Sequence, residues 1–169
     1  MSVQSTGKTM MFIAWIIGIA LLTQFFGVWE QQQYNPNQNP DVQTSTSSIS
    51  ITLEQNRKGH YHVSGLINGE PAEFVVDTGA TDVVVPASLA RKYGLTAQGS
   101  QLGVTANGIV EMQNTRIDEI SFGQFKLYNV SASLNPGMGK HQPVLLGMSA
   151  LRHLDIQQTG GKMTLSQYR

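Results

Sequence analysis

Polar and apolar positions divide the chain into four stretches. Residues 1–9 are mixed, with Lys8 their only charged side chain. Met10 to Trp29 carries no charge, and Thr23 and Gln24 are its only clearly polar members. At about 1.5 Å per residue such a helix spans roughly 30 Å, the thickness of a bilayer core, so the pattern predicts a transmembrane anchor over 10–29 with 1–9 as a cytoplasmic tail. A cleaved signal peptide is the alternative. Its apolar part would be shorter and would end in a small-x-small site, whereas this one ends in Phe25-Phe26-Gly27-Val28-Trp29, with aromatics suited to an interface. Lys8 before the segment and Glu30 after it orient the remainder of the chain to the non-cytoplasmic side.

Residues 30–48 turn polar, with Gln31-Gln32-Gln33, an Asn/Pro run and Thr44-Ser45-Thr46-Ser47-Ser48. Too little apolar surface is present to offset ordering, so a disordered stalk is expected, with a mean reach of about 25 Å. From residue 49 to 169 the period becomes two. Ser50 to Leu53 and His60 to Leu66 alternate apolar and polar residues, and Asn68-Gly69 turns the chain into a further strand ending at Val76. Ala87 to Tyr93, closed by Gly94, predicts a short helix. Gly103 to Met112 reads as a hairpin turned at Asn107-Gly108. Ile117 to Phe122 and Phe125 to Ala132 pair across Gly123-Gln124, and Ile156 and Met163-Thr164-Leu165 flank a last turn at Gly160-Gly161. Many short, evenly spaced strands imply a closed or sandwiched β domain.

Within that pattern, Glu73-Phe74-Val75-Val76 carries Asp77-Thr78-Gly79-Ala80-Thr81-Asp82 into a second β-branched run, Val83-Val84-Val85, which stops at Pro86. A strand thus delivers the Asp77 carboxylate to a tight turn between two apolar strands, a setting in which proton affinity is readily altered. Asp, Thr and Gly are also ordinary turn formers, so the tripeptide alone is equally a structural turn.

The longer stretch resembles the catalytic loop of the retropepsin-like aspartic proteases, and Val144-Leu145-Leu146-Gly147 with the helix-like 148–154 resembles the strand that packs beside that loop. The resemblance covers residues 49–169. It implies an all-β fold: a retropepsin-like closed β domain forming a single acid-protease lobe, with one or two short helices, preceded by the transmembrane helix. It also implies a catalytic Asp77, a Thr78 that hydrogen-bonds across a dimer, and Gly79 and Ala80 small enough for two loops to approach. The Gly103–Met112 hairpin falls where the family places its flap, so Thr105, Ala106, Asn107 and Gly108, with Ala80, Leu146 and Gly147, are the expected substrate-binding residues. Taken without the resemblance, the same hairpin is an ordinary surface feature.

Composition narrows the chemistry. With 11 basic and 11 acidic residues in 169 and no run of either sign, nucleic acid is not an expected partner. The absence of cysteine excludes disulfides, thiolate catalysis and Cys-based zinc sites. His60 and His62 share a strand face in this reading but have no evident third ligand, and neither a metal nor a cofactor is expected. Aspartic-protease hydrolysis takes two carboxylates sharing one proton, and the chain has one Asp-Thr-Gly. Asp118 and Asp155 lack its turn and flanking strand, and Asp82 is too near in sequence to face Asp77. The second carboxylate is therefore expected from another copy, in a homodimer acting on a protein or peptide substrate. Retroviral members typically carry an acidic residue after Asp-Thr-Gly-Ala and an Arg after the later apolar-apolar-Gly. Thr81 and Met148 stand there instead. The sequence is more similar to the membrane-anchored bacterial group, which implies a single-pass protein of the inner membrane with its protease domain in the periplasm. A protease-like peptide-binding or assembly module without turnover is the alternative.

Overall fold

The computed structural model describes residues 3–105 and 108–168. The chain divides into two units, residues 1–34 and 35–169. The first is a single helix, α1 (Val3–Tyr34). Ala, Leu, Ile and Met supply its helix propensity, and the hydroxyl of Thr23 donates back to the carbonyl of Ile19 at 2.8 Å, so that its polar group is met within the helix. Residues 7–34 are long enough to cross a membrane and include an 18-residue window of mean hydropathy 2.1, and a signal sequence would meet the same two criteria.

The second unit is almost wholly β. Its strands are β1 (Asp41–Thr44), β2 (Ser48–Glu54), β3 (His62–Ile67), β4 (Glu70–Val76), β5 (Val83–Pro86), β6 (Ser100–Thr105), β7 (Gly108–Phe122), β8 (Phe125–Asn135), β9 (Val144–Leu146), β10 (Asp155–Thr159) and β11 (Lys162–Tyr168). Strands β3-β4-β9-β5-β8-β7 run in that order and close into a ring, because β3 also pairs with β7 through Leu66↔Ser121 and Ile67↔Ile120, while β6 hangs from the outer end of β7. Gly65 permits the closure: a Cβ there would lie 2.8 Å from Cβ of Phe122 and against the carbonyl of Ser121. A second sheet, β1-β2-β11-β10, brings the two ends of the unit together. The closed β fold with short helices is therefore as the sequence implies, with one 3-10 turn at Ala87–Leu89 and one α-turn, α2 (Met148–Leu151).

Alternation fills the interior. Ile51 and Leu53 of β2, Phe74 of β4, Ile117 and Ile120 of β7 and Leu165 of β11 are fully buried in one apolar cluster, with their polar neighbours turned outward. Two-residue turns fall where Gly marks them. Asn68 and Gly69 have φ of 50° and 83°, and Gly160 and Gly161 58° and 78°, which is the handedness a two-residue hairpin needs.

Two expectations need correction. The helix expected over 87–93 is shorter, a 3-10 turn followed by a bend in which the N–H of Leu95 reaches the carbonyl of Ala90 at 2.9 Å past Gly94 at φ +66°. The segment 30–48 is not a disordered stalk throughout. The helix continues to Tyr34, Asn35 and Asn37 are buried, and β1 pairs with β2 from Asp41↔Thr52 to Thr44↔Ile49. The compositional argument counts only apolar burial. Here asparagine amides and a strand ladder supply the ordering instead.

Candidate active site

Strand β4 is held on both sides near its end. It pairs antiparallel with β3 and parallel with β9 through Phe74↔Val144, Val75↔Leu145 and Val76↔Leu146. The ladder continues one residue further, the N–H of Asp77 donating to the carbonyl of Leu146 at 3.2 Å. Asp77 then caps its own turn: the N–H of Gly79 donates to Oδ1 of Asp77 at 2.9 Å, and the N–H of Ala80 to the carbonyl of Asp77 at 3.2 Å. Asp77 is half-buried, and Thr78 and Gly79 are exposed, so the turn presents itself at the surface.

The far side of the loop is fastened by the segment after β9. The N–H of Met148 donates to the carbonyl of Ala80 and that of Ser149 to the carbonyl of Thr81, each at 2.8 Å. Ser149 is itself buried, and its hydroxyl accepts from the N–H of Val83 at 3.0 Å and donates to the carbonyl of Ser131 at 2.7 Å. Gly147 lies directly under the loop. A Cβ there would sit 2.7 Å from the carbonyl carbon of Asp82 and 2.8 Å from the carbonyl oxygen of Ala80. Leu146 is fully buried beside it, so this residue supports the loop from the core.

The β6–β7 hairpin runs from Ser100↔Gln113 to Thr105↔Gly108. Ala106 and Asn107, the expected tip, lie outside the described residues. Leu102, Val104 and Ile109 are 76%, 88% and 72% exposed on one face. The other face is tied to the body of the domain, where Met112 is buried and Nε2 of Gln101 donates to Oγ of Ser133 at 2.9 Å and approaches Oδ2 of Asp82 at 3.5 Å. Gln101 and Ser149 carry no motif in the sequence. Only their places, one in a hairpin strand and the other two residues past Gly147, could have drawn attention to them.

Of the remaining acidic residues considered, Asp118 and Asp155 are exposed on β7 and β10. His60 and His62 do not share a strand: His60 precedes β3 and is exposed, while His62 is buried with Nδ1 3.0 Å from Oε1 of Glu73. Among the described residues no three His, Asp or Glu side chains cluster as metal ligands would. A groove of about 640 Å³ lies on the outer face of the β1-β2-β11-β10 sheet, bounded by Asp41, Glu54 and Lys162, and Asp77 is not part of its lining.

The sequence pattern of the gag-polyprotein putative aspartyl protease family matches residues 63–153, more than half of the chain. The chain belongs to this aspartic-protease family. The matched residues begin in β3 and end just past α2, so they contain the Asp77 turn, the β6–β7 hairpin and the Leu146-Gly147 support and leave out the four-stranded sheet. A crystal structure of a retropepsin-like aspartic protease from Rickettsia conorii shares the fold, with a TM-score of 0.57 and 23% identity, covering 76% of this chain and 96% of that one. An uncharacterized protein of Sinorhizobium, encoded 5′ of cobV, is 29% identical over 126 residues, and an uncharacterized protein of Rickettsia prowazekii is 28% identical over 116. The matches cover 73% and 66% of this chain but 54% and 48% of those proteins, so the chain spans about half the length of these relatives.

Proposed function

We propose that this protein is a membrane-tethered aspartic endopeptidase, active as a homodimer in which Asp77 from each copy forms the catalytic pair. The observation that carries the reading is the Asp77 turn. Its carboxylate is held by the N–H of Gly79 on a loop fastened at both ends to β9 and α2, yet the loop is exposed and the chain contains a single one. Two such turns meeting on a two-fold axis place like charges together, so one proton is shared between them. The protonated carboxyl polarises the scissile carbonyl, and the ionised one takes a proton from the attacking water. Thr78, Gly79 and Ala80 are small enough to let the loops approach. The β6–β7 hairpin closes over the substrate and excludes water.

The apolar part of α1 anchors the chain. With Lys8 before it and Glu30 after it, the domain stands in the periplasm of a bacterial inner membrane.

The test is Asp77→Asn. Asn preserves the acceptor for the Gly79 N–H and so the turn, but it neither ionises nor exchanges a proton. Hydrolysis of an unstructured peptide at acidic pH should be lost while circular dichroism is unchanged, and the unmutated rate should rise faster than in proportion to enzyme concentration. An Asn variant that cleaves at a comparable rate makes Asp77 a structural turn residue, and an unmutated chain that cleaves nothing makes the domain a peptide-binding module.

A further inference from the structure

Two buried asparagines join the membrane helix to the protease domain. Asn35 and Asn37 are 4% and 3% exposed and follow at once on Tyr34, the last residue of α1. Nδ2 of Asn37 donates to the carbonyls of Glu54 at 2.9 Å and His62 at 2.6 Å, and its Oδ1 accepts from the N–H of Glu54 at 2.6 Å. Its N–H donates to Oδ1 of Asn35 at 3.0 Å, and Nδ2 of Asn35 donates to Oγ of Ser64 at 3.1 Å. The carbonyl of Asn37 accepts from the N–H of Ser64 at 3.4 Å. A freely hinged stalk would leave these amides in water. Here they are spent on the ends of β2 and β3, so the fixed part of the domain begins within one residue of the helix.

This clip also sits on the ladder that delivers the catalytic residue. His62, whose carbonyl Asn37 holds, is the partner of Val75, and the neighbouring carbonyl of Tyr61 accepts from the N–H of Val76 at 2.9 Å. The chain path then limits how far Asp77 can stand from the membrane. Trp29 to Tyr34 is five helical residues, about 8 Å. Tyr34 to Asn37 adds at most about 11 Å. Two lateral steps to Val75 and two strand residues to Asp77 bring the whole path to about 40 Å.

We propose that the Asn35–Asn37 clip confines the catalytic loop to the bilayer surface, so that the substrates are polypeptides anchored in the same membrane and cut within about 40 Å of it. This rests on the reading of the chain as a membrane-tethered protease. A substrate sharing the membrane is held at high effective concentration, and a scissile bond carried beyond the reach of the clip loses that advantage entirely.

The experiment uses the full chain in phospholipid vesicles with reporters that carry one cleavable peptide on a stiff helical spacer. The spacer places the peptide about 20, 40 or 80 Å from a membrane anchor, at about 1.5 Å per residue. The native chain should cut the two nearer reporters and cut the farthest at least about tenfold more slowly. A form with 60 Gly/Ser residues inserted between Tyr34 and Asn35, adding about 40 Å of mean reach, should cut the farthest within about twofold of the 40 Å reporter. Equal cleavage of the 40 and 80 Å reporters by the native chain overturns the proposal, and if the same preparation also cuts a soluble peptide, the protease reading survives. Failure to cut the soluble peptide and every reporter overturns both. Recovery of the chain outside the vesicles overturns the anchor and the proposal together. An added broad-specificity protease gives a readout independent of catalysis: residues 35–40 should resist it in the native chain and be cut in Asn35→Ala/Asn37→Ala. Cutting there at equal rates in both forms overturns the clip.

Discussion

Replacing Gly147 by Ala tests whether the support under the Asp77 loop sets both stability and the proposed chemistry. The added Cβ meets backbone, not a side chain that can swing away: it lies 2.7 Å from the carbonyl carbon of Asp82 and 2.8 Å from the carbonyl oxygen of Ala80. Relaxed contacts of this kind lie near 3.5–4.0 Å, so the loop or the start of α2 must withdraw by roughly 1 Å. Overpacking of a close-packed site costs about 1–3 kcal/mol. The same movement weakens the Met148 to Ala80 and Ser149 to Thr81 hydrogen bonds, each 2.8 Å long. At about 1 kcal/mol for each of these, the whole penalty is roughly 3–5 kcal/mol. For a unit of 135 residues that is a fall in Tm of about 10–18 °C. In the molecules that remain folded, a displacement of about 1 Å at the loop should lower peptide hydrolysis about 100-fold. Thermal unfolding by circular dichroism and initial rates below the transition measure the two effects separately. Gly139→Ala is the control, since nothing lies within 4 Å of a Cβ there. A Gly147→Ala form that melts within a degree of the parent and cleaves at its rate would show that the loop is not seated on this strand.

Three further outcomes are expected. Ser149→Ala leaves the N–H of Val83 and the carbonyl of Ser131 without their partner in a buried site, which costs about 1–3 kcal/mol in chemical denaturation; an unchanged midpoint means that another group takes its place. Gln101→Leu releases the hairpin from Ser133 and Asp82, so KM for a peptide should rise about 3–10-fold with a smaller change in kcat, and an unaltered KM removes these bonds from any role in holding the hairpin down. Burial first, and then the charge of Glu70, hold the Tyr93 phenol above its ordinary value of 10.0, so the unfolded chain loses this proton before the folded one does. The resulting stabilisation is complete below pH 10 and is lost as the pH rises through the folded value, and a Tyr93→Phe form should lack that alkaline slope in pH-dependent unfolding.

Those parts of the fold that follow from local periodicity and turn chemistry were legible in the sequence. The alternation in β2, β3 and β11, the Asn68-Gly69 and Gly160-Gly161 turns and the run from Phe74 to Val85 each state their own conformation, because two-residue hairpins and half-buried strands are decided by neighbours in the chain. What closes the ring was not legible. The pairing of β3 with β7 joins residues more than fifty apart, and Gly65, which permits it, reads in the sequence as an interruption of a strand. The ordering of residues 35–44 escaped for a different reason. Asparagine is a turn and coil former by composition, and nothing local tells that the Asn37 amide will find Glu54 and His62. In the candidate site the motif residues named themselves, whereas Ser149 and Gln101 act through partners on β5, β8 and the Asp77–Asp82 loop that only the tertiary fold assembles.

With Thr81 and Met148 in place of an acidic residue and an Arg, this junction is joined through the main chain and not through a charged pair. The main chain at these two positions is already engaged, the carbonyl of Thr81 by the N–H of Ser149 and the N–H of Met148 by the carbonyl of Ala80. Both side chains are exposed, Met148 at 38%. On the single copy a charged pair placed there would be exposed to water, where an ion pair contributes about 0–1 kcal/mol and is screened by salt. Hydrogen bonds between uncharged main-chain groups and the buried Ser149 hydroxyl are much less sensitive to salt, so the seat of the loop should depend little on ionic strength. The seat of Asp77 is therefore a property of each copy alone. In the proposed homodimer a second copy would add the other carboxylate, with contacts drawn from the exposed edge of the turn at Thr78 and Gly79.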